Sequence, residues 1–487
     1  MAKYTIRPDS EGERRTQSCQ RLSSRMFIDS ASLHDLEIVP SATVRGTTLW
    51  SLINRTRSRV GSEALRERLL NPPHGTDDIL ALQRAHQVLA ADAVAYRGVL
   101  DRIAGDEVER YLNVTWQLPS HMPPMIRFRK WYRQYLQDVT HGRTLVISLL
   151  RSVTELRERL ARADSAILAA LANEIGATLE LDATKELRRL AVGTSASILD
   201  FDQLARDAAK SSLVLLLQCA GKVEALWSIG VATAEHGWTY PRPSSQLQAV
   251  GLYHPFLGRG AVANDLTLDD RIRVCFITGP NMAGKSTFLK ATALAVFLAH
   301  VGSGVPAESM EFVPVGTVFS SVQIADNLTA GESFYLAEVR RMGALAAALD
   351  SHRSAVAVID EPFRGTNVHD AAEATLGVIT RLAAHPAALV LVASHVAEVV
   401  PNLLSDPRVE FLYFAADVTG EQPRFDYRLR HGVSEQRLGM TLLRQEGVLE
   451  HLERAAKAEV SGPDGPPRRG AGVAHREGIP KASRHVT

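Results

Sequence analysis

A glycine-rich loop set between an apolar run and a helical pattern constrains this chain more than any other feature. Gly279-Pro280-Asn281-Met282-Ala283-Gly284-Lys285-Ser286 fits the pattern G-x-x-x-x-G-K-[ST]. Arg273 to Thr278 before it reads as a buried strand, and Thr287 to His300 after it reads as a helix. Strand, loop and helix in that order is the context in which such a loop holds phosphate. Backbone N–H groups and the helix N-terminus would face the anion. Lys285 would set its ammonium against the β- and γ-phosphates, and the Ser286 hydroxyl would ligate Mg²⁺.

Further apolar runs support a mostly parallel sheet. Ala355 to Asp360 and Ala388 to Ser394 read as strands, and Val409 to Ala415 and Arg424 to Leu429 suggest two more. The first run ends in Asp360-Glu361, about 75 residues after the phosphate loop. A carboxylate delivered at a strand end reaches the nucleotide crevice, so Asp360 is expected to hold Mg²⁺. Glu361 beside it would polarise an attacking water. The plain alternative for the pair is a solvated strand end. His395 follows the next strand, from where an imidazole reaches the γ-phosphate or the water; a surface histidine is its alternative.

The first half is helical. From Met26 to about His236, apolar residues recur at helical spacing: Leu65, Leu69 and Leu70, then Ile79, Leu82 and Leu89, with Asp77 or Asp78 as a cap. Arg143 to Leu190 lacks proline and reads as one or two long helices, with Leu149, Val153, Leu156, Leu160, Ile167 and Leu171 as the stripe. The texture changes at Tyr240-Pro241-Arg242-Pro243. The expected division is a disordered tail over 1–25, a helical domain over 26–240, an α/β domain over 241–458 closed by a helix from about Glu435 to Lys457, and a disordered Gly/Pro/Arg-rich tail over 459–487. The fold class is α + α/β.

Net charge is +1, so any polyanion site must be a local patch. Nine lysines leave 46 of the 55 basic residues as arginine, which codon bias explains more simply than phosphate binding. Cys19, Cys219 and Cys275 are too far apart for a metal motif or a disulfide framework. The N-terminus has no apolar signal core, and runs such as Ala293 to Ala299 are too short for a bilayer. A soluble cytoplasmic protein without a membrane role is expected.

The residues also carry a resemblance. Ile277 through Thr287 resembles the phosphate loop of MutS-type DNA mismatch-repair ATPases, which usually reads Thr-Gly-Pro-Asn-Met-Gly-Gly-Lys-Ser-Thr. His300 through Ala307 looks like the family's loop after the first helix, and Asp326-Asn327-Leu328 with Gly331-Glu332-Ser333 like its signature segment, followed by Glu338. Asp360-Glu361, Arg364-Gly365-Thr366 and Ser394-His395 look like its Walker B, D-loop and switch histidine. His254-Pro255, Ala263 through Leu266 and Gly432 through Gly439 are similar to further blocks. Ile28-Asp29, Leu36-Glu37-Ile38 and the run from Gly46 to Pro72 look like its core domain. The resemblance implies a helical core/lever domain followed by a P-loop, ABC-type ATPase domain. It implies ATP with Mg²⁺, held by residues 279–287 including Thr287, and a homodimer in which Ser333 of one copy contacts the γ-phosphate bound to the other. It implies double-stranded DNA, mismatched or branched, as partner.

Departures bear on recognition more than on hydrolysis. No Phe is followed two residues later by Glu, so the family's mismatch wedge is absent from this sequence, and its mismatch-reading domain and full DNA clamp are expected to be missing. Ala283 replaces a loop glycine, Phe334 stands where the family has Thr, Pro362-Phe363 replaces x-Gly, and Ala261 sits where an aromatic often stacks on adenine. Arg127, Arg129, Lys130 and Arg133 interleave with Phe128, Trp131, Tyr132 and Tyr135, a mixture suited to a nucleic acid, yet the aromatic spacing is that of a helix packing inward. Three readings stand: a DNA-dependent ATPase of mismatch-repair type, a nucleotide switch acting on recombination intermediates or a protein partner, and a scaffold that binds ATP but barely hydrolyses it.

Overall fold

Eleven helices precede the first strand among the described residues. The computed structural model describes residues 25–41, 46–115, 124–192, 198–323, 334–352, 354–395, 397–417, 424–434, 436, 443–444 and 447–460. The helices are α1 (Ser30–Asp35), α2 (Leu49–Ile53), α3 (Arg59–Leu70), α4 (Thr76–Ala91), α5 (Ala93–Asp101), α6 (Gly105–Asn113), α7 (Pro124–Ala161), α8 (Ala166–Leu179), α9 (Asp182–Val192), α10 (Ile198–Arg206) and α11 (Lys210–His236). The proline-free stretch is thus three helices. Ser165 ends the first break by capping α8, its hydroxyl accepting from Leu168 N–H. Leu149, Val153, Leu156 and Leu160 are fully buried, as their spacing requires. Asp77 and Asp78 do not cap α4: Gly75 is the N-cap, and both carboxylates lie in the first turn, where the helix dipole favours them.

Helix α11 is the axis of this half, packing on α3, α4 and α8. By length and a mean hydropathy of 1.4 it is the one helix among the described residues able to cross a bilayer, but 72% of that window is buried inside the protein. Buried Glu224 sits midway along it, accepting from Arg57 N–H at 2.8 Å and from the Ser58 hydroxyl.

Two sheets follow. The elements are β1 (Arg242–Pro243), β2 (Leu247–Leu252), β3 (Asn264–Leu268), β4 (Val274–Thr278), α12 (Lys285–Val301), β5 (Ser309–Phe312), β6 (Thr317–Ser321), α13 (Phe334–His352), β7 (Ala355–Asp360), α14 (Val368–Ala384), β8 (Ala388–Ala393), β9 (Val409–Asp417), β10 (Arg424–His431) and α15 (Val448–Val460). The small sheet has the order β1-β5-β2-β3, and the large one β10-β9-β4-β8-β7-β6. In the large sheet β4 pairs in parallel with β8 and β9, and β7 in parallel with β6 and β8. Ile277 and Asp360 both face Ala393 in register, so the loop after β4, the carboxylates after β7 and His395 after β8 leave neighbouring strands at one level. This is the carboxyl edge where open α/β sheets bind ligands.

Two compact units are distinguished. The larger holds the described residues up to Ala416 and from Phe425 to Ser434; the smaller holds Asp417, Arg424 and the described residues from Gln436 onward. Helix α15 belongs to the smaller unit and starts after Gly447, later than the expected Glu435.

Within the larger unit the apolar core runs across residue 240. Met26, Ile28, Leu36, Ile38, Leu49 and Leu65 form one cluster with Ile229 of α11, with α12 and with one face of the large sheet. Polar contacts pin the same segment. Phe27 bridges in parallel to Thr317, and buried Asp35 accepts from the Ser320 hydroxyl, from Val322 N–H at 2.8 Å and from Gln323 N–H at 3.0 Å. Losing a carboxylate that satisfies the buried Ser320 hydroxyl and two further N–H donors leaves them unpaired, at roughly 1–3 kcal/mol for a buried orphaned group. Asp35→Ala should therefore lower the unfolding free energy by about 3 kcal/mol in a denaturant titration.

Candidate active site

The phosphate loop is shaped by backbone that only certain residues tolerate. Gly279 has φ +135°, and a Cβ there would lie 2.5 Å from the Phe414 carbonyl oxygen. Gly284 has φ +108° and leads directly into α12. Met282 also adopts positive φ, 68°, with its side chain 79% exposed at the loop tip. The family's loop glycine is replaced by Ala283, which is fully buried under the loop. Lys285 starts α12 and is 5% exposed. Its ammonium donates to the carbonyls of Gly279 at 2.9 Å and Pro280 at 3.2 Å, and to Asn281 Oδ1 at 3.5 Å. Thr287 lines the cavity beside Ser286.

The carboxylates meet this loop. The Ser286 hydroxyl donates to Asp360 Oδ2, while Asp360 Oδ1 is buried and has no hydrogen-bond partner. Burial lifts the Asp360 carboxyl above its ordinary value, with Glu361 adding to the effect against the Ser286 bond and the Lys285 and Arg364 cations. An orphaned carboxylate oxygen beside a serine hydroxyl is a hard oxygen donor set that fits Mg²⁺. Glu361 Oε1 lies 3.8 Å from Lys285 Nζ, and its other oxygen pairs with His395 Nδ1. Burial pushes the Glu361 carboxyl up, but the His395 hydrogen bond and the charges of His395 and Lys285 outweigh it and hold it below the usual value. The Glu361 hydrogen bond, above all, raises His395.

These groups line a cavity of about 1060 Å³. Several of its walls carry no sequence motif. Tyr427 of β10 adopts φ +56° and lies over the loop, 3.4 Å from a Cβ built on Gly284. Asn264 of β3 holds that strand in place, donating to the Tyr427 carbonyl at 3.0 Å and accepting from Leu429 N–H at 2.7 Å. Leu257, Val262 and Arg364 complete the rim. Asn264 lies in the block Ala263 through Leu266 that the sequence marked, but its pairing with the strand of Tyr427, 163 residues away, carries no sequence signal. The structure thus brings together every loop residue, Asp360, Glu361 and His395. Ser333, with Asp326-Asn327-Leu328, Gly331 and Glu332, lies outside the described residues, as does Gly439.

Parallel strands that end in a glycine-shaped loop, a buried lysine and paired carboxylates are the arrangement expected of a phosphate-binding class of α/β site. Comparison with known proteins shows what this part of the chain is similar to. The family model for MutS domain V matches residues 275–461. The chain is 35% identical over 243 residues to the DNA mismatch repair protein MutS of Treponema pallidum (strain Nichols), covering 47% of this chain and 27% of that protein. It is 32% identical over 246 residues to the DNA mismatch repair protein MutS 2 of Halobacterium salinarum, covering 50% of this chain and 28% of that protein. The chain therefore spans little more than a quarter of the length of these curated relatives. Residues 275–461 thus match MutS domain V, and about half of the chain is similar to MutS proteins.

The Glu361–His395 pair has a defined pH window. A lowered glutamate contributes stability above its unfolded value, lost as pH falls through the folded one. A raised histidine contributes below ~6.5, and that contribution is lost as pH rises through its folded value. The pair is therefore strongest between the two. In an NMR titration His395 should titrate above ~6.5, and Glu361→Gln should return it towards that value.

Proposed function

We propose that this protein binds ATP in the cavity above the phosphate loop and hydrolyses it with Mg²⁺, and that the nucleotide state is linked to DNA. The observation that carries this reading is the meeting of Lys285, Ser286, Asp360, Glu361 and His395 on adjoining strand ends. Loop N–H groups from 279–287 bind the phosphates, and Lys285 exchanges its carbonyl partners for charged phosphate oxygens, which are stronger acceptors. Ser286 and Asp360 would hold Mg²⁺, which neutralises charge on the phosphates when bound. Glu361 orients the water. Phosphoryl transfer depends on positioning more than on proton removal, so a glutamate kept ionised by His395 suits the task. His395 is then close enough to respond to the γ-phosphate. Tyr427, Leu257 and Val262 offer an apolar wall for the base.

A second copy would complete the site, with Ser333 contacting the γ-phosphate across the interface. The exposed apolar side chains of Met282, Leu257 and Val368 support covering of this face by a partner. The helical part, 26–240, would act as the lever, since its first segments share a core with the sheet.

The DNA side rests on α7. The inward-packing reading holds in part along the start of the helix: Trp131 and Tyr135 are half-buried and stack on each other at 5.4 Å, Tyr132 is exposed, and the first fully buried residue after them is Val139. Tyr135 donates to Asp202 at 3.1 Å, so it faces the protein. Arg129, Lys130 and Arg133 are exposed with no ion pair among the described residues, whereas Arg57, Arg59, Arg84, Arg97 and Arg102 are all paired. Unpaired cations on one helix face suit contact with a phosphate backbone. The side chains of Arg127 and Phe128 lie outside the described set.

Steady-state hydrolysis with and without duplex, mismatched and branched DNA tests the whole reading. Lys285→Ala should abolish nucleotide binding; Glu361→Gln should keep binding but slow turnover by about 100-fold or more. Chelating Mg²⁺ should stop turnover. An ATPase indifferent to every DNA would leave only the switch acting on a protein partner, and binding without turnover would leave the scaffold. In a salt series, the double variant Lys130→Ala, Arg133→Ala should weaken DNA binding equally on all sequences and flatten the slope of log K on log salt by about 2. An unchanged slope would remove α7 from the interface.

A further inference from the structure

The turn that follows β7 is held in an expensive conformation. Glu361 has φ 50° and Phe363 φ 64°, both left-handed without being glycine. Each such residue costs roughly 1–2 kcal/mol, so the surroundings must hold it. The support comes from α13. Glu338 is 2% exposed and uses both carboxylate oxygens, Oε1 accepting from Arg364 N–H at 3.2 Å and Oε2 from Gly365 N–H at 3.0 Å. The first turn of the same helix closes on the same backbone. A Cβ on Gly365 would lie 2.7 Å from Tyr335 N, buried Phe363 packs 6.1 Å from the Tyr335 ring, and the Arg364 guanidinium lies 4.8 Å over Phe334. That last contact is where this chain has Phe in place of the family's Thr.

One turn further, Arg341 ties α13 to the other half of the chain. Its guanidinium pairs with Asp29 at 2.7 Å, donates to the Ser32 hydroxyl at 2.6 Å and to the Ser320 carbonyl, and stacks 3.9 Å over Phe319. Helix α13 therefore grips the catalytic turn at Glu338 and the amino-terminal segment at Arg341.

We propose that Glu338 is a positioning residue for Glu361: its carboxylate fixes the 361–365 turn that aims Glu361 at His395, with Arg341 setting the register of the helix that carries it. The proposal rests on the ATPase reading above for its consequence, though not for its geometry. Glu338 does not line the nucleotide cavity, so it acts only through the turn. Burial raises its carboxyl above the usual value, and the two N–H donors work against that. A neutral amide at this position accepts one N–H but turns its own NH₂ towards the other.

The test combines three measurements. In the wild-type protein, amide exchange at Arg364 and Gly365 should be strongly slowed; exchange at the free-solvent rate would overturn the proposal, and this reading needs no variant. In Glu338→Gln, affinity for a fluorescent ATP analogue should stay within about twofold while kcat falls by about 100-fold, the cost of a small misplacement. His395 in that variant should titrate closer to ~6.5, since its glutamate partner has moved. Unchanged kcat and an unchanged His395 titration would overturn it. If Glu338→Gln does not fold, the wild-type exchange decides. If the wild-type protein shows no hydrolysis, the ATPase reading fails, while exchange and the His395 titration still judge the role of Glu338.

Discussion

Three charges drawn out of water at the carboxyl ends of β4 and β7, Lys285 almost fully and the two carboxylates in part, govern how this protein is built. Lys285, Asp360 and Glu361 are each costly to bury alone, and each is tolerable only because the others and a ring of hydrogen bonds surround it. Lys285 balances Glu361; Ser286 satisfies one oxygen of Asp360; His395 satisfies one oxygen of Glu361. One carboxylate oxygen, Asp360 Oδ1, is left over beside the Ser286 hydroxyl, where a hard cation would satisfy it. Electrostatics and backbone geometry converge here, because the same residues depend on left-handed turns at Met282, Gly284 and Glu361.

Much of this site is legible in the amino-acid sequence. The loop, Asp360-Glu361 and His395 announce themselves because each follows an apolar run long enough to be a buried strand. The strands at 274–278, 355–360 and 388–393 match their apolar runs almost to the residue for the same reason. What escapes a sequence reading is built from long-range pairing or from short, mixed segments. Strand β6, Thr317–Ser321, is fully buried but carries three hydroxyls in five residues, so it does not look like core. Partners nearly three hundred residues away in sequence answer this strand: the Thr317 hydroxyl donates to the Phe27 carbonyl, the Ser320 hydroxyl to Asp35, and the Ser320 N–H to the Ser32 hydroxyl. The small sheet begins on a two-residue strand containing proline. Helix breaks within 143–190 are hard to see because a serine cap, rather than glycine or proline, marks the first of them.

The organisation of the two halves is also more integrated than a division by composition suggests. The helical texture ends near residue 240, but the apolar cluster does not, since residues 26–79 pack with α12 and the sheet. A second cluster lies within the helices, and a third on the opposite face of the sheet under α13 and α14. A rigid connection of this kind is what a nucleotide-driven lever requires: a shift at the sheet edge cannot be absorbed by a soft joint.

The bridge between Phe27 and Thr317 has a further consequence for how the chain is made. It closes the outer edge of the large sheet with a segment that leaves the ribosome about 290 residues before the strand it pairs with. At ~5–20 residues per second of synthesis, the early segment waits for some tens of seconds with Met26, Ile28, Leu36 and Ile38 uncovered. Final assembly is therefore late and non-local, the slow regime for folding. Nascent chains of intermediate length would be the species most in need of chaperone protection.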